Sequence, residues 1–210
     1  MTHASIRAML IVVVLGLAGP LASGDVMTFN GLGMTETVRI DADGTLADGL
    51  TVPAGEFQVA YQGQDYLGYC VDLNAYAGSG PVVELPYSSL NHGDMVAYLY
   101  ETYAHGVSTP VQAAGLQVAI WELLAEPAAP YTVGSGHFSI SRNADVSARA
   151  DEMLTNLPGS YAPRTQIKVL QSDAKQDVLI GTGVPIPEPA VLALLGIGGA
   201  AVLARRRARG

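Results

Sequence analysis

Cys70 is the one cysteine in a chain of 210 residues, set in Gly68-Tyr69-Cys70-Val71-Asp72-Leu73. Downstream, Gly115-Leu116-Gln117-Val118-Ala119-Ile120-Trp121-Glu122 places a carboxamide, Gln117, in an otherwise apolar run. If that run is helical, Ala113, Gln117, Ile120, Trp121 and Leu124 share a face at i, i+3/i+4 and i+7 spacing. A buried carboxamide needs a polar partner, and Cys70 is the candidate. Thiol and carboxamide can join: the thiolate attacks the amide carbon, ammonia leaves and a thioester remains.

The elements that would position the pair follow from pattern. Val26 to Asn30, Thr35 to Asp41, Glu56 to Gln62 and Tyr66 to Leu73 are rich in β-branched and aromatic residues and are separated by Gly, Asp and Pro turns, which predicts strands. In the last of these, period 2 puts Leu67, Tyr69, Val71 and Leu73 on one face, with Tyr66, Gly68, Cys70 and Asp72 on the other. Gly68 lacks a side chain, which opens the Cys70 face to close approach by another element. Gly78 to Pro81 reads as a loop. Asp94 to Ala104 reads as a helix with Met95, Leu99 and Tyr103 on one side, closed by Gly106. The helix carrying Gln117 has Thr109 as its N-cap, Pro110 at its first position, Gln112 to complete a capping box and Pro127 as its stop. Pro127 to Ser139 is a Gly/Pro/Ser-rich connection, Ala144 to Leu157 a third helix, and Thr165 to Leu170 and Gln176 to Ile180 closing strands. Asp41-Ala42-Asp43-Gly44 lacks the spacing of a calcium loop and reads as a turn.

Both ends of the chain stand apart from this domain. Met1 to Gly24 has a basic start at Arg7, an apolar run from Ala8 to Leu17 and the small residues Ala22-Ser23-Gly24, the pattern of a secretory signal peptide cleaved near Ala22 or Gly24. At the other end Pro187-Glu188-Pro189 precedes an apolar run from Ala190 to Ala204 and then Arg205, Arg206, Arg207 and Arg209. That run makes about 22 Å of helix against a hydrocarbon core of ~30 Å, a short membrane stretch with a positive-inside stop. The order of parts, Val184-Pro185-Ile186-Pro187-Glu188-Pro189-Ala190, apolar run, arginines, resembles the PEP-CTERM sorting signal of Gram-negative bacteria. The resemblance implies transient anchoring in the inner membrane, recognition and processing by an exosortase, and export to the cell surface or an exopolysaccharide matrix. The divisions are therefore 1–24 signal peptide, 25–184 domain and 185–210 sorting tail.

The chain carries 11 Lys and Arg against 19 Asp and Glu, a net charge of −8. Removing the ends takes Arg7 and the four tail arginines with only Glu188, so the remaining domain is more acidic still, which argues against nucleic acid as a partner. An acidic surface that keeps a secreted protein soluble accounts for this balance. His92, His105 and His137 have no metal-ligand spacing, the surroundings of Cys70 match no cysteine-protease signature, and no cofactor motif is present. Trp121 and the tyrosines are candidates for core packing.

Gly68-Tyr69-Cys70-Val71-Asp72-Leu73, a helical region and then Leu116-Gln117-Val118-Ala119-Ile120-Trp121-Glu122 resemble the thioester domains of bacterial surface proteins. There, a strand cysteine is joined to the glutamine of a T-Q-x-A-type helical motif. The resemblance implies an α+β fold, a β-sandwich or barrel-like domain with a small helical subdomain. It assigns the thiol to Cys70 and the acyl group to Gln117, with Trp121 and Tyr69 as candidate shields. Asp72, on the Cys70 face by its alternation, would raise the thiol pKa or accept its proton, the alternative being a carboxylate that bonds nearby backbone or a tyrosine. A surface amine or hydroxyl, on protein or polysaccharide, would attack the acyl carbon, leave the protein bound through Gln117 and free Cys70. Such an event happens once per molecule, so this is a reactive binder for adhesion or cross-linking and not an enzyme. A lone thiol is a liability in an oxidising compartment, and a thioester would remove it. The competing reading is a non-reactive structural matrix protein in which Cys70 packs as a small hydrophobe and Gln117 bonds to backbone.

Overall fold

A computed structural model of the chain describes residues 25–181. The signal peptide and the sorting tail expected from the sequence, including Pro187, Glu188, Pro189, Arg205, Arg206 and Arg207, lie outside the described residues. Eight strands and three α-helices make up the described part. They are β1 (Val26–Ala42), β2 (Thr51–Tyr61), β3 (Gln64–Cys70), β4 (Gly80–Pro81), β5 (Val83–Pro86), α1 (Gly93–Tyr103), α2 (Pro110–Ala125), β6 (Phe138–Ser141), α3 (Ala144–Thr155), β7 (Ile167–Gln171) and β8 (Val178–Gly181).

The strands pair antiparallel in the order β4-β1-β2-β3-β8-β7-β5, with β6 added to β1. One short stretch, Gly80 to Pro86, supplies both ends of that order: β4 pairs with β1 and β5 with β7. Val82, buried between them, donates its N–H to the Asp25 carbonyl at 2.8 Å. The sheet is thereby nearly closed into a barrel, and the expected α+β class with a barrel-like sheet and helices is what the chain adopts. The sequence pattern missed β4 and β5 because both are short, and each carries a Pro that cannot donate to a ladder.

The two N-terminal strands expected at Val26–Asn30 and Thr35–Asp41 are one continuous strand. Irregularities between Phe29 and Gly31 and between Leu32 and Thr35 interrupt its register with β2. At the second, buried Glu56 from β2 accepts the Met34 N–H through Oε2 at 3.0 Å, so a carboxylate stands in for a ladder carbonyl. A Cβ on Gly33 would meet that Oε2 at 2.7 Å, so the bulge requires glycine there. The β2–β3 hairpin turns on Gln62 and Gly63, both at positive φ, as a tight two-residue turn demands. β3 ends at Cys70, three residues earlier than its alternation suggests, because the backbone of Asp72 folds back onto the Cys70 sulfur. Gly68 does open its face to another element: a Cβ there would stand 2.6 Å from Val178 Cγ1 and 2.9 Å from the Leu179 carbonyl of β8.

α2 is the central helix, buried on every side from Ala113 to Leu123. The expected single apolar stripe is thus only part of its buried surface, since a helix apolar all round belongs in the interior. Thr109 caps it by accepting the Gln112 N–H. The Gln112 side chain reaches one residue further back than a capping box would, accepting from Ser108 N at 2.8 Å. At its other end the Asn91 amide donates to the Leu123, Leu124 and Glu126 carbonyls, closing acceptors that a helix terminus leaves open. α1 is buried along Val96, Ala97, Leu99 and Tyr100, so its inward stripe is rotated from the expected Met95, Leu99 and Tyr103. The connection from Pro127 is held by carboxylates. Glu122 Oε1 accepts Thr132 N at 2.7 Å, Asp151 Oδ1 accepts Val133 N at 3.0 Å, and Glu126 Oε1 accepts the N–H groups of His137 and Phe138. Its last residues then add β6 to β1, an element that the Gly/Pro/Ser composition concealed.

Two stability predictions follow from these contacts. Gly68→Ala should push β8 away from β3 and lower stability by about 1–3 kcal/mol, read as a lower urea midpoint with an unchanged slope. Burial raises the Glu122 carboxyl to about 7, so folding favours its protonated form. That contribution is whole below the ordinary carboxylate range and is lost as pH climbs through about 7. Glu122→Gln should leave stability unchanged at pH 4 and raise it by about 1 kcal/mol at pH 8, measured by urea melts at both pH values.

Candidate functional site

The structure brings Cys70 and Gln117 together. The β2–β3 ladder stops at Phe57↔Gly68, while on the far side of β3 the pairs Tyr69↔Leu179 and Cys70↔Val178 continue. At the place where β2 departs, the Gln117 amide takes over. Cys70 N–H donates to Gln117 Oε1 at 2.9 Å, and Gln117 Nε2 donates to the Cys70 carbonyl at 2.8 Å. A side-chain amide thus acts as one more residue of the sheet, projected from the middle of a helix. Cys70 is 0% and Gln117 1% exposed, so neither bond competes with water.

The sulfur is held in the following turn. Sγ donates to the Asp72 carbonyl at 2.8 Å and accepts the Asp72 N–H at 3.4 Å. Burial pushes the Cys70 thiol up to about 12; the bond to the Asp72 backbone and the Trp121 indole oppose the rise, and the Asp72 and Asp177 carboxylates add to it. The Trp121 indole acts on the thiol without a formed hydrogen bond to it. Nε1 is buried with no acceptor among the described residues.

The remaining expected site residues separate. The Asp72 side chain turns away from the sulfur, its Oδ1 accepting the Asn74 N–H at 2.7 Å. Tyr69 alternates to the opposite face, where its ring stands edge-on to Tyr100 with centroids 6.0 Å apart. Its buried hydroxyl has no partner among the described residues, and burial, with Glu56 nearby, holds it well above the ordinary tyrosine range. Of the two candidate shields, Trp121 is the one that acts on the thiol, while Tyr69 packs against Tyr100.

Two residues at the site had no sequence signal. Asp177 accepts the Ser172 N–H through Oδ1 at 2.8 Å, and burial raises its carboxyl. Its own carbonyl accepts the Val71 N–H. Gln176 donates through Nε2 to the Asp72 carbonyl at 3.2 Å, the same oxygen that receives the Cys70 S–H. Both lie next to β8, 104 and more residues from the turn they meet, a distance over which no local pattern speaks. Gln176 and Trp121 also form part of the wall of a cavity of about 270 Å³ between α2 and the β1–β2 face, lined chiefly by apolar side chains such as Phe29, Val52, Phe57 and Leu73. Elsewhere, the turn after β1 gathers the exposed carboxylates of Asp41, Asp43 and Asp48 within 4.8 Å, with Asp48 Oδ1 accepting Ala42 N–H.

Comparison with known proteins bears on the tail first. Residues 185–208 match the PEP-CTERM protein-sorting motif. No curated protein matches the chain. Among solved structures, the N-terminal domain of the Streptococcus pyogenes pilus tip adhesin Cpa is similar with a TM-score of 0.41 and 14% sequence identity, over 71% of this chain and 93% of that one. Among the described residues no helix is long and apolar enough to cross a membrane.

Replacing Gln117 by Leu would keep the bulk and leave the Cys70 N–H and C=O buried without partners. The variant should lose about 2–4 kcal/mol of stability in urea unfolding. Gln112→Leu, altered at the exposed start of the same helix, should lose about 1 kcal/mol or less.

Proposed function

We propose that this is an exported protein, sorted through its PEP-CTERM tail to the cell surface or extracellular matrix, whose domain forms an internal thioester between Cys70 and Gln117 and through it attaches covalently to a surface nucleophile. The tail match over 185–208 carries the sorting part, with an inner-membrane exosortase as the processing partner. The observation that carries the chemistry is the pair of buried hydrogen bonds at 2.9 and 2.8 Å that seats the Gln117 amide on the backbone of the cysteine itself.

In the forming step the Cys70 S–H bond breaks, sulfur bonds to Gln117 Cδ, the C–N bond breaks, and nitrogen leaves with the thiol proton as ammonia. The sulfur must first release the Asp72 carbonyl. A thiol raised to about 12 is almost wholly protonated at neutral pH, so the step calls for a base at the moment of attack. The Asp177 carboxylate, which acts on the thiol through space, is the candidate for that base; Asp72, whose carboxylate accepts the Asn74 N–H, would have to leave that bond first. Exclusion of water by β3, α2 and Trp121 then protects the product from hydrolysis. In the binding step an amine or hydroxyl of a protein or polysaccharide attacks Cδ, the C–S bond breaks, and the proton passes to the departing Cys70 sulfur. Each molecule reacts once, so the chain is a covalent adhesin or cross-linker and not a turnover enzyme.

One observation favours a second reading. Both polar ends of the Gln117 amide and the thiol already have backbone partners, which is also how a non-reactive structural protein of the matrix would hold them. Intact mass of the exported protein decides between the two. The thioester form should be lighter than its sequence by one ammonia, the deficit should vanish in Cys70→Ala, and methylamine should add in stoichiometric amount while exposing one titratable thiol. A wild-type mass equal to that of the full sequence would leave the structural reading standing.

A further inference from the structure

We infer that the cavity behind Trp121 selects the nucleophile, and that it does so for a primary amine carrying an uncharged apolar body, aryl or branched alkyl, within a few bonds of the nitrogen. The inference rests on the thioester reading and adds the chemical class of what attacks it. Position is the first argument. Trp121 is shared, since the indole that acts on the Cys70 thiol is also a wall of the cavity. Gln176 is shared in the same way, because it lines the cavity and donates to the carbonyl that holds the Cys70 S–H. A group lodged in the cavity therefore touches two side chains that act on the thiol or on the carbonyl that holds it.

Lining is the second argument. The wall has no charged side chain; Phe29 and Phe57 meet edge to face at 5.2 Å, Val52 and Leu73 complete an apolar surface, and Gln176 and Tyr76 bring the polar atoms. A sugar ring placed there would strip water from several hydroxyls and find few partners, at a cost that an aryl or alkyl group does not meet. A volume of about 270 Å³ suits one such group. The wall offers an ammonium no anionic partner, so it favours entry of the free base that attack requires. Its nitrogen bonds to Gln117 Cδ as the C–S bond breaks, and one amine proton ends on Cys70 Sγ.

The test measures rates of adduct formation on the full chain by intact mass, with methylamine, phenethylamine and glucosamine at equal free-base concentration. Phenethylamine should react about tenfold or more faster than either of the others. Ethylbenzene, which fits the cavity and has no nucleophile, should slow phenethylamine and not methylamine. Ala47→Trp, which fills the cavity from its wall, should bring the phenethylamine to methylamine ratio down towards one; the ethylbenzene competition needs no variant and stands if that one fails to fold. Methylamine adducts forming as fast as phenethylamine adducts, or glucosamine reacting fastest, would overturn the cavity's role and leave the thioester in place. No adduct with any amine would remove the thioester reading and this inference with it.

Discussion

A buried helix amide that completes a strand's hydrogen bonding is the constraint on which the rest of the domain turns. Backbone N–H and C=O groups taken out of water must find partners, and at Cys70 the neighbouring strand has already left. Gln117 fills the gap only if α2 lies at one depth and one rotation against β3. Much of the architecture serves that placement: an N-cap at Thr109, Asn91 across the carbonyls at the far end, and close approach of α3, since a Cβ on Gly115 would meet Arg149 Cγ at 2.6 Å. A helix so thoroughly buried has little freedom to slide, and the amide inherits that rigidity.

Carboxylates have an unusual share in the interior. Glu56 takes a strand N–H at a bulge, Glu122 and Glu126 gather the N–H groups of the connection after α2, and Asp177 holds Ser172 beside the turn of Asp72. In each case an acid replaces a missing backbone acceptor where the chain departs from regular structure. The acidic composition, which the sequence presents as a solvated surface, is thus in part a set of internal fasteners. Desolvation raises Glu56, Glu122 and Asp177 alike, and the N–H groups they accept work against that rise.

What could be read from the sequence and what could not divide along physical lines. Local signals held: Thr109 and Pro110 start α2, and Gly68 admits β8. The meeting of Cys70 with Gln117 was legible because a lone carboxamide in an apolar helix has to find something polar. Short strands at prolines, the bulge in β1 and the roles of Asn91, Gln176 and Asp177 were not legible, because each depends on a partner brought in by tertiary structure. Asp72 shows the limit of period 2: with β3 ending at Cys70, the next residues follow a turn and their side chains obey the turn's geometry.

The position of β8 has a mechanical meaning. It is the last described strand before the tail, and it is laddered directly to Tyr69 and Cys70. Tension entering from the C-terminal side meets the β8 ladders with β3 and β7 first, and the pair Cys70↔Val178 lies at the residue that seats Gln117. A load applied between Gln117 and the C-terminal side would thus have a short route through the molecule, crossing one strand pair and bypassing β1, β2 and the helical connections.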